Sequence, residues 1–262
     1  MPRLFLILLF VLTSDVALAQ LSADVLEETT NVPEEAVSEE KTAGVFYSIE
    51  QKTTVFSRPD SSRPYVQLRF REPVYVLGQE GRWSHIRTDD GAQGYVRSYL
   101  ISNVWLRVSK KKKTVYVYRG ADLVKKVSAD LGYNMFSDKE RRGSSRERDH
   151  WRTPEGAFYV VRKNPRSQFY RAFVLNYPTV EDADRGLKKG LISKAEHAAI
   201  ARAQARYAMP PMSTALGGMI EIHGHGTGSG MNWTQGCVAI ENHHMDELWR
   251  WVQVGTPVLV EP

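Results

Sequence analysis

Cys237 is the only thiol in the 262 residues, and it follows His223 across a run that reads His-Gly-His-Gly-Thr-Gly-Ser-Gly-Met-Asn-Trp-Thr-Gln-Gly-Cys. Both residues can do chemistry. A thiol is mostly protonated at neutral pH, and an adjacent imidazole makes it a usable nucleophile. Apolar residues deliver both: Met219 to Ile222 run into the histidine and Val238 to Ile240 leave the cysteine, so each sits at the end of a short strand. Five glycines, Gly224, Gly226, Gly228, Gly230 and Gly236, lie between them. They permit backbone angles that other residues reach only at a cost, so the loop can fold back and bring His223 beside Cys237. A lone histidine is usually structural. This one leads a glycine loop that returns to the sole cysteine, which favours use.

A metal centre is the rival chemistry. His223, His225, Cys237, His243 and His244 all carry atoms that bind zinc, but their spacing fits no standard zinc pattern. His243 and His244 are expected at the start of a helix, facing water. Neither a metal nor another cofactor is expected.

The segment His223-Gly224 and Thr234-Gln235-Gly236-Cys237 resembles the signature of the L,D-transpeptidase catalytic domain, or YkuD domain. That signature is His-Gly, a loop, then Ser/Thr-His-Gly-Cys, with Gln235 standing where many members carry a second histidine. Thr153-Pro154-Glu155-Gly156 before a strand is a second hallmark. The resemblance spans roughly residues 103–262 and implies cysteine acyl transfer on peptidoglycan stem peptides. In that reading Cys237 attacks the carbonyl of an L,D peptide bond and His223 moves the proton. The backbone carbonyl of Gly224 orients the ring, and the N–H groups of Gly236 and Cys237 face the oxyanion. Trp233, Thr234, Gln235 and Arg152 are the expected substrate contacts. A wall amine resolves the acyl-enzyme as a transpeptidase, and water resolves it as an L,D-carboxypeptidase or endopeptidase. An inactive wall-binding protein is the non-enzymatic alternative.

The elements that must hold this site are mostly β. Residues 45–102 carry short alternating stretches split by Arg58-Pro-Asp, Gly81 and Asp89-Asp90-Gly91, the pattern of a small barrel. Trp83-Ser-His-Ile-Arg, Asp90-Gly91 and Gly94-Tyr-Val-Arg-Ser-Tyr-Leu100 resemble the bacterial SH3-like domain, which implies a wall peptide or protein as ligand; a packing spacer is the alternative. Residues 103–262 then form a β-sandwich-like domain. Val104–Val108 and Val115–Tyr118 make a hairpin whose tip, Lys110 to Lys113, is expected to be a solvated turn. Thr153–Gly156 should shape one wall of the cleft, and the arginines of residues 138–152 offer paired bonds to a carboxylate.

Residues 179–213 break the β pattern. Ser193 and Glu196 form a capping box, an alanine-rich run favours helix, and Pro210-Pro211 end it. This insert is expected to cap or border the cleft. After the cysteine, Asn242 is placed to cap a last helix with Met245, Leu248, Trp249 and Val252 on its buried face. Thr256 to Val260 close the chain as a strand.

Composition bounds the rest. Residues 1–19 read as an export signal: Arg3, the apolar Leu4 to Leu12, and Ala17-Leu18-Ala19, with cleavage before Gln20. Nine apolar residues are too few for a hydrocarbon core that needs about 20, so no stable membrane insertion is expected once the signal is removed. The destination is the periplasm or cell wall. Residues 20–44 hold seven acids against Lys41 and read as a flexible acidic linker. With that −6 set aside from the net +5, residues 45–262 carry +11. Such a charge suits an acidic polymer or simply a solvated surface; wall rather than nucleic acid is the partner that the motifs favour.

Overall fold

A computed structural model describes residues 44–262. The export signal and nearly all of the acidic linker read from the sequence lie outside the described residues. Among the described residues no helix is long and apolar enough to cross a membrane.

The first sheet gathers β1 (Gly44–Ser48), β2 (Lys52–Phe56), β3 (Pro64–Arg69), β4 (Pro73–Glu80), β5 (Trp83–Thr88), β6 (Gln93–Arg97) and β7 (Ile101–Ser102). Their order is β3-β2-β6-β5-β4-β1-β7, and every neighbouring pair is antiparallel. Alternation along each strand sends one set of side chains inward, so Val55, Leu68, Val74, Ile86, Val96 and Ile101 form one buried cluster. Asp90-Gly91 makes the turn between β5 and β6, where Gly91 takes a φ of 88° and donates to Thr88 O.

The second sheet begins with β8 (Val104–Ser109), β9 (Thr114–Arg119) and β10 (Asp122–Ser128). It continues through β12 (Gly156–Ser167), β13 (Tyr170–Leu175), β14 (Glu221–His223), β16 (Val238–Ala239) and β17 (Pro257–Glu261), in the order β10-β9-β8-β17-β12-β13-β14-β16. Two joins are parallel, β8 with β17 and β14 with β16. β12 belongs to both halves: Gly156–Tyr159 pair with β17, and from Val160 onward the strand pairs with β13. A register shift between Val160 and Arg162 marks the hand-over. Such a bulge bends a strand, so the sheet curls around its core. That core includes Leu106, Val117, Leu131, Val160, Phe173, Ile222, Val238 and Ile240. A two-stranded parallel piece, β11 (Leu131–Gly132) with β15 (Asn232–Thr234), lies beside it.

Three helices complete the domain. The insert holds α1 (Val180–Lys188) and α2 (Lys194–Ala205), each opened by a full capping box: Thr179 with Asp182, and Ser193 with Glu196. Ala183, Ile192, Ile200 and Leu216 give the pair its own small core. The last helix, α3 (Asn242–Trp251), buries Met245 and Leu248 in the main core, with Val252 just beyond.

Two expectations are corrected here. Asn242 is not the helix cap: Glu241 occupies that position without a side-chain bond, because Asn242 Oδ1 accepts from His225 N at 2.8 Å and so serves the glycine loop. The lysine tip is not wholly solvated either. Lys110 is 1% exposed, and its Nζ reaches Glu155 Oε1 at 2.5 Å and Ser137 O at 2.8 Å.

Candidate active site

β14 and β16 run parallel, with Ile222 opposite Val238 and His223 opposite Ala239. Carried back one residue, this register sets Cys237 opposite Glu221. Residues two apart on a strand share a face, so His223 and Cys237 lie on the same side of the sheet. Both line one cavity of about 630 Å³. Cys237 is partly exposed at its wall, while His223 is 1% exposed.

His223 is held on three sides. Its Nδ1 lies 2.7 Å from Gly224 O; a carbonyl only accepts, so Nδ1 carries the proton and Nε2 is left as an acceptor. Phe169 stacks on the ring at 4.4 Å and 23°, and Trp233 meets it edge-on at 6.3 Å. Burial holds the imidazole below its ordinary range, partly offset by the Gly224 carbonyl. Only glycine fits at 224, because a Cβ there would stand 2.4 Å from Asn242 Oδ1 and 2.8 Å from Phe169 O.

Cys237 follows a tight turn. Gly236 takes a φ of 130°, and a Cβ on it would meet Arg152 O at 2.5 Å. Thr234 Oγ1 donates to Cys237 O at 2.7 Å and accepts from Gly236 N at 3.2 Å, which closes the turn on itself. The thiol points to Met219 O at 3.4 Å. Met219 itself has a φ of 53°, a strained value for a side-chain-bearing residue of the kind that collects at functional sites. Burial pushes the thiol up to about 12; the Glu221 N–H and the Lys139 charge pull it the other way. Burial therefore disfavours both charged forms, thiolate and imidazolium.

The glycine loop is fixed from below by Asp130, which is fully buried. Its carboxylate accepts from Thr227 N, Thr227 Oγ1, Met231 N and Trp233 Nε1 at 2.7–2.8 Å. Burial alone would raise this acid, but the bonds from Trp233, Thr227 and Met231 outweigh it and hold the pKa low.

Trp233, Thr234 and Gln235 all line the cavity with His223 and Cys237. The Arg152 side chain instead bonds Asp149 O at 2.6 Å and Asp138 O at 3.2 Å and lies outside the lining. Arg142, Lys139 and Trp151 from the same loop do line it. Thr153–Gly156 act one step removed. Thr153 Oγ1 accepts from Gly132 N, Glu155 N donates to Asp138 Oδ1, and the Glu155 carboxylate holds Lys110. The motif anchors the loop that forms the wall rather than forming it. The helices of the insert do not touch the cavity, but the return segment does, through Met212 and Gly217 to Ile220.

Asp130, Lys139 and Phe169 were not readable from sequence spacing, since each meets the site from a distant segment. Among the described residues one trio could hold a metal: Glu241, His243 and His244, with ligand atoms within 4.8 Å of one another. It includes neither His223 nor Cys237.

The profile of the YkuD family, the L,D-transpeptidase catalytic domain, matches residues 103–260. The chain belongs to this family. The L,D-transpeptidase family acts on peptidoglycan stem peptides and is a family of cell-wall enzymes. No curated protein matches the chain. Among solved structures, an L,D-transpeptidase (residues 123–326) from Xylanimonas cellulosilytica is 16% identical over 61% of this chain and 61% of its own, with a TM-score of 0.38. A Bdellovibrio bacteriovorus protein is 18% identical over 61% and 47%, at 0.37. An L,D-transpeptidase from Mycobacterium smegmatis is 14% identical over 85% and 83%, at 0.35. The chain thus spans less than two thirds of the first two.

Proposed function

We propose that this L,D-transpeptidase family member uses Cys237 as its nucleophile and His223 as its general base and acid on peptidoglycan stem peptides. The observation that carries the reading is the hydrogen bond from His223 Nδ1 to Gly224 O at 2.7 Å, on a ring that shares a cavity wall with the only thiol. That bond fixes the tautomer, so Nε2 is free to take the thiol proton as the sulfur attacks the carbonyl of the L,D bond.

The carbonyl oxygen becomes an oxyanion. Gly236 N–H already donates to Thr234 Oγ1, so we assign the Cys237 N–H as its donor. Collapse breaks the C–N bond; His223 returns its proton to the leaving D-amino acid amine, and a thioester remains on Cys237. An acceptor amine from the wall then attacks, gives its proton to His223 and releases the thiol, which leaves a crosslink. Water in that role gives the shortened peptide. Trp233, Thr234, Gln235 and Arg142 are the groups we assign to substrate contact. Arg152 is reassigned to holding the loop. The N-terminal sheet is read as an SH3-like module, either a wall-ligand site or a spacer, and the protein as exported to the periplasm or cell wall.

Incubation with muropeptides followed by mass analysis tests this. Crosslinked dimers that disappear in Cys237→Ala are expected. Shortened monomers alone would make it a hydrolase, and products that persist in Cys237→Ala would overturn the assignment of the nucleophile.

A further inference from the structure

We propose that Lys139 is the cation that stabilises the ionised sulfur of Cys237 during attack, and is thus a positioning residue for the nucleophile. The inference rests on Cys237 being that nucleophile. Lys139 sits on an irregular loop and is 4% exposed. Its Nζ donates to His150 O at 3.1 Å and, at 3.5 Å, to Gln235 O, two residues before the cysteine. It lines the same cavity as Cys237.

The contrast with Lys110 is informative. Lys110 is equally buried, but Glu155 answers its charge. Lys139 has no carboxylate at ion-pair distance among the described residues. The nearest candidate, Asp138, is committed elsewhere: Oδ1 accepts from the backbone N–H groups of Lys139 and Glu155, and Oδ2 pairs with Arg185. A buried cation without a counter-ion costs stability, and an anion formed inside the cavity would answer it. The thiolate is such an anion.

The charged neighbours are few. Lys139 faces Cys237, Arg142, Arg152 and Asp138. Cys237 faces Lys139 and Glu221, and burial keeps the Glu221 carboxyl above its usual range, weakening its opposition. His223 faces His225 and Asp130. Among the described residues Lys139 is therefore the resting cation whose charge favours the thiolate. Burial lowers its pKa to about 8, with Arg142 and Arg152 adding to the fall and Cys237 and Asp138 opposing it.

The sign follows. Below that value Lys139 is charged and favours the thiolate; as pH rises through it, the cation is lost and the sulfur becomes harder to ionise. His223 must be neutral to accept the proton, which requires a pH above its depressed pKa. Reactivity should rise from acid pH and then flatten near pH 8, where an ordinary thiol would still be gaining.

The test is the rate of Cys237 alkylation by iodoacetamide, followed by mass across pH, for the full chain and for Lys139→Met and Lys139→Arg. The reagent is neutral: the sulfur displaces iodide and its proton leaves through His223 or buffer. It needs no wall substrate, so failure with muropeptides and failure here are separate results. Lys139→Met should slow alkylation at pH 7 by about tenfold or more, since each unit of thiol pKa is tenfold in thiolate. Lys139→Arg should keep most of the neutral rate and lose the alkaline flattening, because a guanidinium does not titrate there. A wild-type rate in Lys139→Met, or a flattening that survives in Lys139→Arg, would overturn the proposal. If Lys139→Met does not fold by circular dichroism, the Lys139→Arg profile decides alone.

Discussion

Asp130 does for the glycine loop what no glycine in it can do. The glycines make the loop foldable, and one buried carboxylate with four donors selects which fold it takes. Through Trp233, whose ring meets His223 edge-on, that selection reaches the imidazole. Asn at this position keeps one acceptor and turns an amide NH2 toward N–H groups that cannot accept from it. Asp130→Asn should lose roughly 2–3 kcal/mol, the scale of bonds made to a charged partner, and should slow acylation of Cys237 as well. Urea melts paired with acylation kinetics check both. The pH dependence has a definite sign. The pKa of Asp130 is lowered from 3.8, so its contribution is fully present above the unfolded value and fades as pH falls through the folded one. The acid-side loss of stability should therefore shrink in the variant. Unchanged melts at both neutral and acid pH would remove Asp130 from this role. Cys237, His223 and Gly224 were legible in the sequence because their relation is local and carried by one loop. Asp130 was not, since it meets its partners across about a hundred residues and nothing nearby marks it.

At the scale of elements, Thr153–Gly156 shows how a legible motif can have an illegible partner. The turn was readable from Pro154 and Gly156. That Glu155 would reach across to the tip of the β8–β9 hairpin was not, because four consecutive lysines look like a solvated tip. Lys110 instead runs inward, and its pair with Glu155 ties that hairpin to the loop carrying Lys139 and Arg142. Removing one member of a buried pair costs more than replacing both. Glu155→Ala should thus destabilise by about 3 kcal/mol, the low end of the range for broken buried pairs because Glu155 is itself a quarter exposed. Lys110→Met in the same background should recover part of that loss. A thermal-melt double-mutant cycle reads it, and additive losses would mean that the two side chains do not act together. The helical insert was legible in the same uneven way. Ser193 with Glu196 marks α2, whereas α1, opened by Thr179 and Asp182, is not legible in the same way, since its nine residues include Asp182, Asp184 and Gly186, which are weak helix formers.

At the scale of the molecule, both sheets were readable from strand alternation, but the seam between them was not, because it is built from single residues at strand ends. Tyr47 Oη donates to Val104 O at 2.6 Å. The Phe70 ring fills the space that a Cβ on Gly255 would need. Arg71 lies over Tyr159 at 4.8 Å and Tyr207 at 5.6 Å, and Phe70 meets Tyr207 edge-on at 5.1 Å. Tyr207 follows directly on α2, and Met212, five residues later, is on the cavity rim. The first sheet therefore braces the insert, and the insert's return segment shapes the cavity. Each cation–π contact contributes about 0.5–1 kcal/mol at partly exposed sites, and a domain of this size shifts about 2–4 °C per kcal/mol. Arg71→Ala should lower the melting temperature by a few degrees in calorimetry. Its kinetic effect should fall on substrate binding, because the residue is remote from the sulfur and the imidazole and acts on the rim: KM for the muropeptide rises while kcat stays near wild type. A fall in kcat at unchanged KM would mean that the seam reaches the reactive pair itself, and an unchanged melting temperature would mean that Arg71 braces nothing.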